Sequence, residues 1–272
     1  MSKFWTIMCL ILSLAGCWES GRPLKNSYKT TAKHQFESVP STKYKACKKT
    51  TIIAVIDTGF GADDTWTGQE TAHLCKFGHK NFVDSDNSLK FGTKDPVPKD
   101  KHGHGTHMAG IIDTYAKRTN ESFCLVILKY YDERGWGNEN LNHTVEAIQY
   151  ARQIHADYIN YSGGGVQKSQ AETEAVKAFI DSGGTFVAAA GNEKSNTSFF
   201  PYYPAQDDER VISVGNGNDE NHRAPSSNYG KKVKRWENGV EVQMYNHRMT
   251  GTSQAAAIAT GKIVAEKNKS CK

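Results

Sequence analysis

The sequence lacks a hydrophobic run long enough to cross a membrane as a helix. Its longest apolar stretch, Phe4–Leu14, spans 11 residues, whereas a spanning helix needs about 20. Cysteine is scarce, with six in 272 residues, and no two stand in the CxxC spacing of zinc knuckles and thioredoxin-like sites. No internal repeat or low-complexity segment is present. These absences exclude a permanent anchor in the apolar stretch, a repeat array and the usual cysteine-based metal and redox sites.

A strong excess of charge is also missing. The formal net charge of +5 is too small to indicate a nucleic-acid partner, and none is predicted. Much of this charge lies between Trp18 and Thr50, a segment with eight basic and two acidic residues. Apolar residues do not recur there at the spacing of a helix or a strand. We expect residues 18–50 to form a basic flexible tether, either solvated or lying against anionic headgroups.

The first 17 residues are typical of an export signal. Lys3 precedes the apolar stretch, and the segment ends in Leu14-Ala15-Gly16-Cys17. This ending resembles the lipobox of bacterial lipoproteins, which implies that Cys17 is acylated and anchors the protein to a membrane of the bacterial cell envelope. Acyl chains bind membranes through their methylene groups, at about 0.8 kcal/mol each. The alternative is an ordinary secretory signal and a secreted protein.

Four cysteines remain beyond the signal: Cys47, Cys75, Cys124 and Cys271. An even number in an exported protein predicts disulfide bonds. Four cysteines allow three pairings, and the sequence does not choose among them.

From Thr51 onward, short apolar runs alternate with longer amphipathic ones. This alternation predicts an α/β fold, namely a doubly wound, mainly parallel sheet flanked by helices in a single domain over residues 51–272. The predicted strands are Thr51–Ile56, Phe123–Lys129, Asp157–Tyr161, Thr185–Ala190 and Val211–Val214. The predicted helices are Thr106–Lys117, Leu141–His155 and Gln170–Asp181, with an Ala-rich helix after Ser253. In such sheets chemistry gathers beyond the carboxyl ends of the strands.

An acid and a histidine lie at such places. Asp57 directly follows the first strand, where it can orient a base or simply form a turn. His104 lies between glycines where a helix begins. Together with His102 and His107 it also allows a zinc interpretation, although Thr106 stands where the HxHxDH pattern of zinc hydrolases has an aspartate.

A serine and an asparagine complete the candidates. Ser253 stands in a Gly-Thr-Ser turn before a helix, where the positive end of the helix dipole favours developing negative charge. The alternative is that Thr252 or Ser253 is only an N-cap. Asn192 follows another buried strand and a glycine, where it can donate to an oxyanion or form a turn.

Taken together, these motifs resemble the subtilisin family of serine peptidases from about Thr51 to the end. The matching strings are IAVIDTG around Asp57, GHGTHMAG around His104, AAAGN ending at Asn192 and GTSQAA around Ser253. INYSGGG, YPAQDDERVISVG and APSSNYG fit between or beside them. The order acid, base, serine is that of subtilisin.

The resemblance implies a serine endopeptidase that works through an acyl-enzyme. Ser253 would attack the peptide carbonyl, His104 would take and return the proton, and Asp57 would hold the imidazolium. Asn192 and the backbone N–H of Ser253 would form the oxyanion hole.

The resemblance also implies where a protein or peptide substrate binds. The peptide would lie extended between Gly135-Trp136-Gly137 and Ser162-Gly163-Gly164. Glu193 either favours a basic residue before the scissile bond or is a solvated acid. We expect a monomer without a cofactor. The resemblance allows calcium binding, but the family's calcium sites find no matching residues here, so no metal ligand is assigned.

Two features depart from the family pattern. Gln254 and Ala257 replace the methionine and proline of the usual GTSMAAP, which predicts altered packing with activity kept. The 33 residues between Cys17 and Thr51 are too few for the usual propeptide, so we expect the domain to fold unaided or with another protein's help.

Three other interpretations stay open. The strings around Asp57 and Asp181 look like the paired motifs of pepsin-type aspartic peptidases, although that fold is almost all β. A zinc hydrolase is the second. The third is a lipid-anchored, peptide-binding pseudoenzyme on the same scaffold.

Overall fold

The computed structural model of the chain describes residues 50–62, 66, 72–83, 97–119, 122–131 and 137–269. The predicted signal, most of the tether, and the predicted site residues Cys17, Gly135 and Trp136 lie outside these ranges. Within them, no helix is long and apolar enough to cross a membrane.

A seven-stranded sheet forms the centre of the fold. Its strands are β1 (Thr51–Asp57), β2 (Lys80–Asn81), β3 (Phe123–Lys129), β4 (Tyr158–Tyr161), β5 (Thr185–Ala189), β6 (Ile212–Asn216) and β7 (Arg235–Glu237). All neighbouring pairs are parallel, in the order β2-β3-β1-β4-β5-β6-β7. A separate antiparallel hairpin pairs β8 (Val242–Met244) with β9 (His247–Met249).

In the described part of the chain, four helices cover the two faces of the sheet: α1 (His104–Ala116), α2 (Gly137–Gln153), α3 (Gln170–Asp181) and α4 (Thr252–Lys269). A short 3-10 helix, Lys117–Thr119, follows α1. Because side chains alternate along a strand, Ile52, Ala54 and Ile56 of β1 pack with α2 and α3. Ile53 and Val55 pack on the other face with α1 and α4. The predicted doubly wound α/β fold is therefore confirmed.

The strand order changes direction between β1 and β4: the strands that follow β1 are added on one side of it, and those from β4 onward are added on the other. β1 pairs with β3 on one side and with β4 on the other. The connections that follow β1 and β4 therefore diverge, and they open a crevice at the carboxyl ends of these strands. This is the edge at which the sequence predicts the chemistry.

The described elements agree closely with the predicted ones. β3 and α3 have the predicted bounds, and Ser169 caps α3 by accepting from Glu172 N at 3.3 Å. Helix α2 begins at Gly137, four residues before its predicted start. Gly137 therefore opens a helix, and its assignment to the substrate-binding site stays a prediction.

One disulfide bond joins Cys75 to Cys124. It lies beside β3, where Cys75 N donates to Leu125 O at 2.9 Å and Leu125 N donates to His73 O at 2.8 Å. The bond thus fastens the segment before β2 to the first half of β3. Cys47 and Cys271 lie outside the described residues, so disulfide bonding by these two cysteines stays a prediction.

Candidate active site

Asp57 and His104 form a short hydrogen bond at the carboxyl end of β1. Asp57 is 2% exposed, and its Oδ1 accepts from His104 Nδ1 at 2.7 Å and from Thr58 N at 2.8 Å. His104 is the first residue of α1. With Nδ1 donating to the carboxylate, Nε2 of the same ring is the nitrogen left to accept a proton.

The electrostatics of this pair favour a protonated imidazole. Burial works against the charged ring, but the negative charge of Asp57, its hydrogen bond and the more distant charge of Asp100 outweigh burial and raise the pKa of His104. An imidazolium formed here is therefore stabilised. That is the property a general base needs after it has taken a proton.

Asp100 holds the start of α1 in place. Its Oδ1 accepts from His102 N at 2.9 Å and Gly103 N at 2.8 Å, and its Oδ2 accepts from Thr106 N at 2.9 Å and Thr106 Oγ1 at 2.7 Å. Burial would raise the pKa of this carboxyl, but the hydrogen bonds from Thr106, Gly103 and His102 lower it. Sequence reasoning assigned Asp100 no role, although an acid just before a helix is a known capping signal.

Thr58 connects Asp100 to Asp57, because its hydroxyl bonds to the first carboxylate and its backbone N–H to the second. Its hydroxyl donates to Asp100 Oδ1 at 2.9 Å and accepts from Gly105 N at 2.8 Å. The approach is so close that a Cβ at Gly105 would lie 2.3 Å from Gly59 O. The glycine beside His104 therefore lets α1 meet the end of β1.

Ser253 is the second residue of α4. Its hydroxyl donates to Ser162 O at 2.9 Å, and the Ser162 hydroxyl donates to Ser253 O at 3.1 Å. Ser162 directly follows β4, so this reciprocal pair joins the start of α4 to the carboxyl edge of the sheet. The described hydrogen bond of the Ser253 hydroxyl therefore goes to Ser162, not to His104.

Asn192 lies next to this helix start, just beyond β5. Its Oδ1 accepts from Thr252 N at 3.0 Å and Thr252 Oγ1 at 3.2 Å, and Gly191 N donates to Thr252 Oγ1 at 3.2 Å. The first N–H of α4 is thus satisfied by Asn192. Because the amide oxygen is engaged by α4, the amide nitrogen is the donor on the other side of this exposed side chain.

Asn228 fixes the loop that carries Asn192. Its Oδ1 accepts from Glu193 N at 3.0 Å and Ser195 N at 2.9 Å, while its Nδ2 donates to Ala190 O at 2.8 Å and Glu193 Oε2 at 2.6 Å. Asn228 is buried. The sequence showed it only as part of APSSNYG, without this positioning role. Glu193 is thereby bound to Asn228 rather than simply solvated.

The predicted substrate segment Ser162-Gly163-Gly164 lies beside Ser253. A Cβ at Gly163 would lie 2.3 Å from Tyr130 Oη, and one at Gly164 would lie 2.4 Å from Tyr203 O. Gly164 is nevertheless exposed on its outer side. The lack of side chains at these glycines therefore lets Tyr130 and the backbone of Tyr203 pack closely against the segment next to the serine.

Asp57 and Asp181, the pair that the aspartic-peptidase interpretation needs, do not come together. Asp181 ends α3, which runs antiparallel to the strands, so it lies at the opposite edge of the sheet from Asp57. His107 is buried, donates from Nε2 to Val242 O at 3.2 Å, and has its pKa lowered to about 4, chiefly by burial. No cluster of three or more potential metal ligands occurs among the residues that the structure describes.

The chain belongs to the subtilase family of peptidases, whose family profile matches residues 48–270. Subtilisin DY of Bacillus licheniformis is 32% identical over 196 residues, which cover 70% of this chain and 65% of that protein. The major intracellular serine protease of Bacillus subtilis (strain 168) is 30% identical over 225 residues, which cover 78% of this chain and 66% of that protein. The chain thus spans just under two thirds of either relative.

Solved structures agree with this assignment. A cold adapted subtilisin-like serine proteinase has a TM-score of 0.61 at 25% identity, over 80% of this chain and 76% of that one. A lanthipeptide protease has a TM-score of 0.63 over 86% and 80% of the two chains, and its 19% identity supports the fold alone. The prediction of a subtilisin-like serine peptidase domain is therefore confirmed.

Proposed function

We propose that the chain is a serine endopeptidase with Asp57, His104 and Ser253 as its catalytic residues. The observation that carries this proposal is the 2.7 Å bond between Asp57 Oδ1 and His104 Nδ1, located where the starts of α1 and α4 meet the carboxyl edge of the sheet. A buried carboxylate that orients an imidazole is the arrangement that activates a serine hydroxyl.

In the first step the Ser253 hydroxyl turns from Ser162 O toward His104 Nε2. Its oxygen attacks the carbonyl carbon of the peptide bond, and its proton passes to His104. The tetrahedral intermediate then collapses, the C–N bond breaks, and His104 gives the proton to the leaving amine. Water, activated by His104 in the same way, hydrolyses the ester on Ser253 and restores the enzyme. Asp57 remains ionised and stabilises the imidazolium throughout.

The negative charge of the tetrahedral oxygen is stabilised by two donors, Asn192 Nδ2 and the backbone N–H of Ser253. The bonds from Thr252 to Asn192 Oδ1 support this assignment, because they hold the amide in the orientation that leaves Nδ2 as the donor. Ser253 N belongs to the first turn of α4, where the helix dipole adds positive potential. A protein or peptide substrate lies extended along Ser162-Gly163-Gly164.

The test is reaction with a fluorophosphonate probe and cleavage of unfolded casein by protein that lacks residues 1–17. We expect Ser253→Ala to abolish both, while Ser198→Ala, a change at an exposed serine outside the predicted substrate-binding residues, retains both. Equal activity of wild type and Ser253→Ala would contradict the mechanism. Peptide binding without labelling or cleavage by the wild type would instead support the pseudoenzyme.

We further propose that the protein is exported and attached to the bacterial cell envelope through acylated Cys17. The Leu-Ala-Gly-Cys ending of the signal and the basic segment behind it support this proposal. Cells fed a labelled fatty acid should incorporate it into the wild type and into Cys9→Ser, but not into Cys17→Ser. Labelling that survives in Cys17→Ser would refute the anchor.

A further inference from the structure

A cavity of about 300 Å³ opens beside the substrate segment. Its wall includes Gly164 and Gly165 on one side and the aromatic rings of Tyr130 and Tyr161 on another. The two tyrosine rings lie 5.2 Å apart between centroids. This volume is at the lower end of the range for ligand pockets, so it suits one long side chain rather than a whole ligand.

Glu172 of α3 lines the same cavity, although it is only 3% exposed. The negative charge of Asp207 disfavours ionisation of the Glu172 carboxyl. The charge of Glu172 in turn disfavours ionisation of the Tyr161 hydroxyl. The charges of Lys168 and Lys177 favour the ionised form of Asp207. No basic side chain is found among the described residues that line the cavity.

A buried carboxylate without a cation is costly. Burial, and secondarily the charge of Asp207, raises the pKa of Glu172 to about 8. A cationic group entering the cavity would offset this cost by pairing with the carboxylate. The tyrosine rings would meanwhile contact the alkyl stem of a lysine or arginine and attract its charged head.

The position of the cavity relates it to the scissile bond. The Ser253 hydroxyl bonds to Ser162 O, and Gly165 lies three residues further along the same segment. An extended chain advances about 3.3 Å per residue, so Gly165 lies roughly 10 Å from Ser162. A peptide lying along this segment therefore places into the cavity a side chain about three residues from the bond that is cut.

We propose that Glu172 makes the enzyme select substrates with arginine or lysine about three residues from the scissile bond, which the cavity binds. This inference rests on the proposed peptidase function. It differs from a preference set by Glu193, which would act on the residue next to the scissile bond.

The test uses internally quenched peptides in which each position near the cleaved bond carries either arginine or citrulline, its neutral isostere. At one position about three residues from the bond, we expect kcat/KM for arginine to exceed that for citrulline by about 10-fold or more. The ratio should fall to about 2 or less in Glu172→Gln. It should persist in Glu174→Gln, the same change on the exposed face of α3.

A ratio near one at all positions in the wild type would overturn the proposal without any variant. So would a preference confined to the residue next to the bond and lost in Glu193→Gln but not in Glu172→Gln. Binding of the same labelled peptides to Ser253→Ala, followed by fluorescence anisotropy, separates this inference from the peptidase function. A higher affinity for the arginine peptide there supports the cavity's role even if the wild type cuts nothing, and equal affinities contradict it.

Discussion

The carboxylate of Asp100 accepts from both the backbone N–H and the hydroxyl of Thr106, at 2.9 and 2.7 Å. We expect Asp100→Ala to lower the free energy of unfolding by about 1–3 kcal/mol, because it leaves buried donors without partners. His104 should then be held less firmly, and kcat should fall more than KM changes. Denaturant unfolding and steady-state kinetics measure both effects.

Asp219 supplies the matched control for that change. It makes a similar turn, accepting from Asn221 N and His222 N at 2.8 Å each, but on the exposed surface. Asp219→Ala should leave kcat within about twofold, since surface changes rarely exceed 0.5 kcal/mol. If Asp100→Ala also left kcat and its pH profile unchanged, Asp100 would have only a structural role.

Replacing Asp57 by Asn should move the acid limb of the pH–kcat/KM profile to lower pH. The base must be neutral to act, and the carboxylate of Asp57 raises the pKa of His104 against burial. Removing this charge lowers that pKa. The rate should also fall by about 10⁴, as for the equivalent change in a chymotrypsin-type protease.

The same shift has a consequence for stability. A raised pKa means that His104 contributes stability that is fully present below its unfolded pKa near 6.5, and that is lost as pH rises through its folded pKa. Asp57→Asn should remove this dependence. Asp113→Asn, which breaks the other buried-acid pair with a histidine at 2.7 Å to His73, should leave the activity profile unmoved. A shifted acid limb in that variant would contradict the assignment.

Asn192→Ala should reduce kcat by about 10²–10³ with little change in KM, a range that is known for the same donor in subtilisin itself. Asn192→Asp is the sharper variant, because it keeps an acceptor for Thr252 N but loses the donor. We expect it to be at least as inactive as Asn192→Ala. Asn196→Ala, in the same loop, should keep nearly full kcat; a loss equal to that of Asn192→Ala would point to the loop as a whole.

Glu172→Gln should stabilise the protein at alkaline pH. Its carboxyl titrates at about 8 in the folded chain instead of 4.5, chiefly because it is buried. The folded state therefore holds a proton that the unfolded chain loses above 4.5, and the free energy of unfolding falls as pH rises between these values. The loss is on the order of 3–5 kcal/mol. Unfolding curves at pH 5 and 9 should show this difference in wild type but not in Glu172→Gln.

Removing the disulfide between Cys75 and Cys124, 49 residues apart, should lower the free energy of unfolding by about 2–4 kcal/mol. The double variant Cys75→Ala and Cys124→Ala, compared with the wild type in urea, measures this. The distance of the bond from the carboxyl edge of the sheet predicts that kcat changes little. A large loss of kcat in a variant that still folds would show that the segment joined by this disulfide supports the site.

The buried strands and the amphipathic helices could be predicted because their apolar periods are strong. β3 is buried throughout, and α3 carries its own cap in Ser169. β2, β7, β8 and β9 were missed, because each has only two or three residues and partial burial. Asp57, His104, Ser253 and Asn192 were proposed from local strings, whereas the contacts of Asp100 and Asn228 depend on partners that only folding brings together.

Glu172 shows the same limit. Its place on α3 could be read from the capping motif, but its cavity is completed by the ends of β3 and β4. Hydrophobic periodicity along the sequence cannot predict that a polar residue lines a cavity formed by several separate elements.

The division of the helices between the two faces of the sheet has an evolutionary consequence. His104 and Ser253 come from α1 and α4 on one face, while Glu172 comes from α3 on the other. Under the proposed function, mutations in the layer of α2 and α3 alter which peptides bind, while the residues proposed for the chemistry lie on the other face and stay unchanged.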